Sequence, residues 1–337
     1  MATALKPEWS KPGTILFAAE IPTNEIAFSH ALAQAVEYQA TLVLFHASVI
    51  PPMLPNPMGD VGGMGGMELG VRMDLVSNLQ YFGPESMHRI EARALAPLAR
   101  RVREAGVHCR TLVRAGSPAD EILQTARDTG ADRIVMGTHS PGHIGKLLIG
   151  SVAESVLRRA PIPVYIVGPE VEASSERSFA PQTVLCAISR VESSGPAAAF
   201  AAELAARHHA RLIIQHVFRP QDCGEVLAEH CAAEMERQLL DMVPTRFRQK
   251  VHPTAVAISG DPTEKLLEES RNHEADVIVM GAYGASPFAA ITRHGVVYRV
   301  LASAHCPVIT LSPSVLETGV SRVPITAPSE SYLAGVI

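Results

Sequence analysis

The stretch VHCRTLVRAGSPADEILQTARDTGADRIVMGTHS, Val107 to Ser140, decides the fold because the chain contains it twice. VHPTAVAISGDPTEKLLEESRNHEADVIVMGAYG, Val251 to Gly284, aligns with it without a gap at an offset of 144 residues. Gly116/Gly260, Pro118/Pro262, Asp132/Asp276 and Met136-Gly137/Met280-Gly281 coincide, and the register runs on through Pro163-Val164 and Pro307-Val308. Working backwards, TILFAAE from Thr14 resembles TVLCAIS from Thr183, and ATLVLFHA from Ala40 resembles ARLIIQHV from Ala210. A repeat this long reads as a duplicated domain, since solenoid repeats are several times shorter.

Each copy alternates short apolar runs with amphipathic stretches. In the first, Ile15–Ala19, Leu42–Ala47, Val107–Val113, Ile134–Met136 and Val164–Val167 are five candidate buried strands. Helical spacing of Phe28, Leu32, Ala35 and Val36, a charged amphipathic stretch Arg89–Ala105, and Ser151–Ala160 supply helices between them. The helix after the third strand has a start signal in both copies. GSPAD offers Ser117 as cap, Pro118 at the first position and Asp120 at the third; GDPTE offers Asp261, Pro262 and Glu264. Continuous apolar strands alternating with helices predict parallel sheets covered on both faces. The expected organisation is a first domain over residues 12–168, a polar linker over 169–181, a second domain over 182–312 and a loosely ordered tail over 313–337. Residues 50–76, rich in Met, Gly and Pro, have no counterpart in the second copy and read as a surface loop or an adaptable partner-binding surface.

The totals exclude several classes. The chain of 337 residues carries a net charge of −5, which disfavours a large nucleic-acid footprint. Its apolar runs are shorter than the about 18 residues of a membrane span. MATALKPEWSKPG at the N-terminus lacks the apolar core of a secretion signal, so a cytoplasmic location is expected. Five cysteines without CxxC spacing read as free thiols in a reducing compartment, with no structural zinc site.

The glycine-rich segment VMGTHSPGHIGKLLIGS, Val135 to Ser151, is the candidate site. A P-loop requires GxxxxGK followed by Ser or Thr. Anchored on Gly145-Lys146, it meets Ser140 at its first glycine and Leu147 at its hydroxyl position, so the magnesium ligand is missing. HIGK, His143 to Lys146, follows the wrong strand and has the wrong last residue for a HIGH signature. His139 and His143 share helical spacing, but no third metal ligand lies near them in sequence, and Tyr283 and Pro287 replace them in the second copy. There is no GxSxG nucleophile elbow. A phosphate cradle remains: Gly137 leaves the fourth strand at its C-terminal end, and Gly150-Ser151 opens a helix whose N-terminal N–H groups suit an anion. A glycine turn followed by an ordinary serine N-cap fits the same residues.

Taken together, G-x-P, D-x-I-V-M-G and the closing P-V in both copies resemble the universal stress protein family, of the adenine-nucleotide alpha-hydrolase-like superfamily. Its nucleotide-binding members carry G-x2-G-x9-G-(S/T) after the fourth strand; here Gly137, Ser140 and Gly150-Ser151 keep the spacing with one glycine replaced. The resemblance implies two tandem open parallel five-stranded Rossmann-like sheets of strand order 3-2-1-4-5. It implies ATP, with Mg²⁺ as companion, in the first half: Glu20 toward the ribose beside Ala18, Ala47 near the adenine, Met136, Gly137, His139 and Ser140 along the loop, and Gly150, Ser151 and Val152 at the phosphates. In the second half Ser189, Val217, Gly281, Gly284, His294 and Gly295 stand at those positions. There the acidic residue is lost and the Gly-Ser end has become His-Gly, so nucleotide binding is expected to be weak or lost. The reading carries no catalytic residues and at most slow ATP hydrolysis; its rival is a non-nucleotide scaffold acting through protein partners. Family members pair through their fifth strands, so Val164–Val167 and Val308–Leu311 are expected to pair within the chain as an internal pseudo-dimer, with a homo-oligomer as a further level.

Overall fold

A computed structural model describes residues 11–48, 84–138, 149–173, 179–189, 194–218, 228–281, 295–312 and 315. In the first half the order is β1 (Thr14–Ala18), α1 (Glu25–Tyr38), β2 (Thr41–Ser48), α2 (Pro84–Glu104), β3 (Cys109–Ala115), α3 (Pro118–Thr129), β4 (Arg133–Gly137), α4 (Ser151–Arg159) and β5 (Val164–Val167). The second half follows with β6 (Thr183–Ile188), α5 (Ser194–His208), β7 (Arg211–Phe218), α6 (Ala228–Met242), α7 (Thr245–Val251), β8 (Thr254–Ser259), α8 (Pro262–Asn272), β9 (Val277–Gly281), α9 (Val296–Ser303) and β10 (Val308–Leu311).

Each half has the strand order 3-2-1-4-5, all parallel, but there are not two sheets. The strands form one ten-stranded sheet, β3-β2-β1-β4-β5-β10-β9-β6-β7-β8, in which β5 and β10 run antiparallel. Ile309 faces Tyr165 at the centre of that join, flanked by Val308↔Ile166 and Thr310↔Val164. The reason is the edge. Both strands are only four residues long and every one of those residues is buried. An open edge there would strand backbone N–H and C=O groups in an apolar surround. Pairing them satisfies both halves at once.

The core is continuous across the join on both faces. Alternation along β1 sends Ile15 and Phe17 to one face and Leu16 and Ala18 to the other. On the first face the α1 residues Phe28 and Leu32 belong to the same apolar cluster as Ala198, Ala201 and Leu204 of α5. On the second, Leu123, Val156 and Leu157 continue into Leu266, Val300 and Leu301. The segment read as a polar linker contributes too. Phe179 is buried with its ring 5.9 Å from Tyr38, 6.0 Å from Tyr165 and 5.5 Å from His208.

Helix ends account for the largest strand shift. Gly106 closes α2 with φ +77°, its N–H bonded to Arg103 O and the N–H of Val107 reaching back to Val102 O. This is a Schellman closure, so Val107 belongs to the cap and β3 begins two residues later, at Cys109. The cap of α3 also differs from its expected form. Ser117 is the N-cap residue but makes no side-chain bond to the helix backbone. Its hydroxyl goes to Asp120, whose carboxyl is held below its ordinary value chiefly by hydrogen bonding to Arg159 and then to Ser117. In the second half Asp261 does cap: Oδ1 accepts from Thr263 N at 2.9 Å and from Glu264 N at 3.0 Å.

Candidate functional site at the strand carboxyl ends

The strand order reverses between β1 and β4 in the first half, so the C-terminal ends of β1, β2 and β4 open on one crevice. Most of the expected residues fall there. Ala18 is the last residue of β1, and Glu20 follows it, half-buried. Ala47 is the next-to-last residue of β2 and half-buried. Met136 and Gly137 end β4, both buried. Gly150, Ser151 and Val152 start α4, with Ser151 exposed to solvent and the other two half-buried. His139, Ser140, Gly284, His294 and the segment 50–76 lie outside the described residues.

The first turn of α4 is organised for backbone donors. Its N-cap is Gly150, at φ −63° and ψ 149°, and no side chain caps it. The serine is therefore not the cap; it is the first helical residue, with its hydroxyl at the helix mouth. Gly150 N donates to Thr138 O at 2.9 Å, which ties the start of α4 to the residue following β4. A Cβ on Gly150 would sit 3.4 Å from that same oxygen, so a side chain fits the backbone but would project from the helix start. An uncapped helix start carries unpaired N–H groups and partial positive charge, the usual seat of a phosphate.

Gly137 has a duty that spacing alone does not reveal. A Cβ there would lie 2.6 Å from Asn24 Nδ2. Asn24 is the N-cap of α1, its Oδ1 accepting from Ala27 N at 3.0 Å. The glycine thus lets the start of α1 close over the end of β4, next to the crevice.

Two further features recur in both halves. His46, near the end of β2, donates through Nδ1 to Ala19 O at 2.9 Å; His216 does the same to Ile188 O at 2.9 Å. A carbonyl can only accept, so the bonded ring nitrogen carries the proton in each. These histidines pin the chain where it leaves the central strand, immediately before Glu20 in one half and Ser189 in the other. The His-Ala and His-Val endings of the second strands were the available signal, though the pattern does not disclose the bond. At the opposite end of the sheet, Asp132 Oδ2 accepts from Gly13 N at 2.9 Å and Thr14 N at 3.1 Å. Asp276 Oδ2 accepts from Gln182 N at 2.7 Å and Thr183 N at 2.9 Å. The aspartate of D-x-I-V-M-G is therefore an anchor for the first strand of each half, remote from the crevice.

The second half repeats the framework with different chemistry at the corresponding positions. Ser189 is exposed just after β6, Val217 sits in β7, Gly281 ends β9, and Gly295 is the N-cap of α9 with no side-chain cap. The first helical residue after that cap is Val296, where the first half has Ser151. Among the described residues no group of three or more His, Cys, Asp or Glu side chains could hold a metal ion, and no helix is long and apolar enough to cross a membrane.

The sequence profile of the universal stress protein family matches residues 12–168 and again residues 181–312. The chain belongs to the universal stress protein family. It is 30% identical over 141 residues to a universal stress protein of Methanocaldococcus jannaschii, a match covering 42% of this chain and 72% of that one. A universal stress protein of Mycolicibacterium smegmatis matches at 26% identity over 225 residues, covering 62% of this chain and 70% of the relative. Among solved structures, a universal stress protein from Archaeoglobus fulgidus superposes with TM-score 0.60 at 19% identity, over 90% of this chain and 98% of that one. That likeness carries the fold, so this universal stress protein is a tandem arrangement of the family domain in one chain.

Proposed function

We propose that this tandem universal stress protein binds one adenine nucleotide, ATP with Mg²⁺ beside its phosphates, in the crevice of its first half. The nucleotide acts as a regulatory ligand, and the second half is a degenerate, structural copy. What supports the reading is that Glu20, just after β1, and the uncapped Gly150-Ser151 helix start, in the connection that follows β4, belong to the two strands between which the strand order reverses. Glu20 supplies an anionic acceptor for ribose hydroxyls, Ala18 and Ala47 are small enough to admit a base and sugar, and the α4 N–H groups with the Ser151 hydroxyl meet the phosphates. Bound ATP would bring a triphosphate and its counter-ion; the residues here bind and orient it. ATP binding that favours one conformation shifts the population toward it, and this is how a cytoplasmic stress protein would present an altered surface to protein partners.

The test is a thermal-shift series with ATP up to millimolar concentration. A rise in melting temperature that follows RT ln(1 + [L]/Kd) supports the reading, and a flat response rejects it. The exposed Ser189 and the loss of a hydroxyl at Val296 favour a second reading, a scaffold that works through protein partners without nucleotide. Absorbance near 260 nm from nucleotide carried through a native purification separates the two.

A further inference from the structure

The first half's crevice is not built by the first half alone. The backbone N–H of Ile149, the residue immediately before Gly150, donates to the hydroxyl of Tyr298 at 2.7 Å. Tyr298 belongs to α9 of the second half, and both it and Ile149 are buried, at 4% and 7% exposure. A donor and acceptor this well shielded are costly to separate, because each would be left without water to replace its partner.

The helix that carries Tyr298 is itself fixed against the first half. A Cβ on Gly168, directly after β5, would lie 2.5 Å from the carbonyl oxygen of Leu301 in α9. Only glycine allows that approach. Around the same join, the hydroxyl of Ser312 donates to Ala160 O at 2.5 Å. Tyr298 and Ile149 therefore meet across a rigid seam made of β5, β10 and the ends of α4 and α9.

Among the described residues the contact runs one way. At the 144-residue offset the counterpart of Tyr298 is Glu154, and Glu154 Oε1 instead accepts from Arg158 within α4 at 3.0 Å. The half that keeps the Gly-Ser phosphate end receives a brace from its partner. The half that has lost it contributes the brace.

We propose that Tyr298 is a positioning residue for the nucleotide site of the first half, holding the chain at Ile149 so that Gly150, Ser151 and Val152 present their N–H groups in fixed geometry. This rests on the reading of that site as a phosphate seat, but the brace itself can be tested without nucleotide. Amide exchange followed by NMR in the nucleotide-free full chain is the direct probe. In the wild-type protein the Ile149 amide is expected to exchange as slowly as the core strands, whereas the Ser151 amide at the helix mouth exchanges fast. Ile149 exchanging as fast as Ser151 would overturn the proposal, even if the variant proves hard to fold.

The variant is Tyr298→Phe, which keeps the ring and removes the acceptor. Exchange at Ile149 should quicken roughly three- to tenfold, the range set by one net hydrogen bond, with strands of both halves unchanged. A purely packing role would leave Ile149 unchanged or quicken both halves uniformly, and either result rejects the brace. ATP titration of the same variant then reads the consequence: affinity lowered by a similar factor with one site retained. Unchanged ATP affinity despite faster Ile149 exchange contradicts positioning. If the wild-type chain binds no ATP while the exchange results hold, the nucleotide reading fails and the cross-half brace stands.

Discussion

The two halves share a scaffold and differ at their crevices. Both use an aspartate to anchor the first strand, a histidine to pin that strand's exit, and a glycine N-cap at the helix after the fourth strand. Only the first places a carboxylate after the central strand and a serine after the capping glycine. Duplication thus separates what the fold requires from what the ligand requires. The aspartate and histidine common to both halves hold backbone together, whereas Glu20 and Ser151, which only the first half carries, stand at the C-terminal strand ends.

The strongest challenge to that division is to remove the shared anchors. Asp132→Ala and Asp276→Ala each delete a carboxylate that accepts two backbone N–H groups, and each should cost about 2 kcal/mol in urea unfolding. Equal losses fit a common scaffold role, and a large loss in ATP affinity from Asp132→Ala at matched stability would break it. A sharper cut is Glu20→Ser, which installs the second half's residue in the first. ATP affinity should fall about tenfold with little change in melting temperature, the scale of one charge-assisted hydrogen bond.

The helix caps give a smaller contrast. Asp261→Ala should destabilise by about 1 kcal/mol because it frees two backbone N–H groups, whereas Ser117→Ala should cost only a few tenths, since that hydroxyl bonds no backbone donor. Chemical denaturation of both variants checks the order.

How much of this was legible beforehand follows from range. The gapless repeat carried the duplication and the alternation of buried strands with helices, because those signals are local: apolar runs, Gly-x-Pro helix starts, and periodicity; the strand order within each half came from the family resemblance. The positions at the crevice were also legible as spacing. The fusion into one sheet was only half visible. The pairing of Val164–Val167 with Val308–Leu311 was implied by the family resemblance, yet each half on its own still reads as a separate sheet. Tyr298 was not legible at all. Its partner is 149 residues away, its counterpart Glu154 has different chemistry, and an unremarkable tyrosine near a helix start carries no motif. Phe179 was hidden by the polar stretch around it.

The seam between the halves predicts an effect of pH. Tyr38 OH bonds His208 Nε2 at 2.9 Å, and the His30 ring bonds Tyr165 OH at 3.1 Å through Nδ1 and Glu172 O at 2.9 Å through Nε2. Burial, then the charges of Arg207, Arg133 and His209, lower His208 from 6.5 to about 4; burial lowers His30 as well. The folded chain binds fewer protons here than the unfolded chain, so this contribution to stability is complete above about pH 6.5 and is lost as pH falls toward about 4. Melting temperature should decline over that window, and His208→Phe should flatten the decline without abolishing it, because His30 remains.

Isothermal titration of the full chain with ATP and Mg²⁺, beside the variant Gly150→His, tests the asymmetry most directly. At the 144-residue offset the second half carries His294 there, one residue before its own capping glycine; a histidine at 150 fits the backbone at φ −63° and would project where phosphate approaches. The expected result is one nucleotide per wild-type chain and an affinity about a hundredfold weaker in the variant at unchanged melting temperature. Two nucleotides per chain, or a variant that binds as tightly as the wild type, would contradict a single site in the first half.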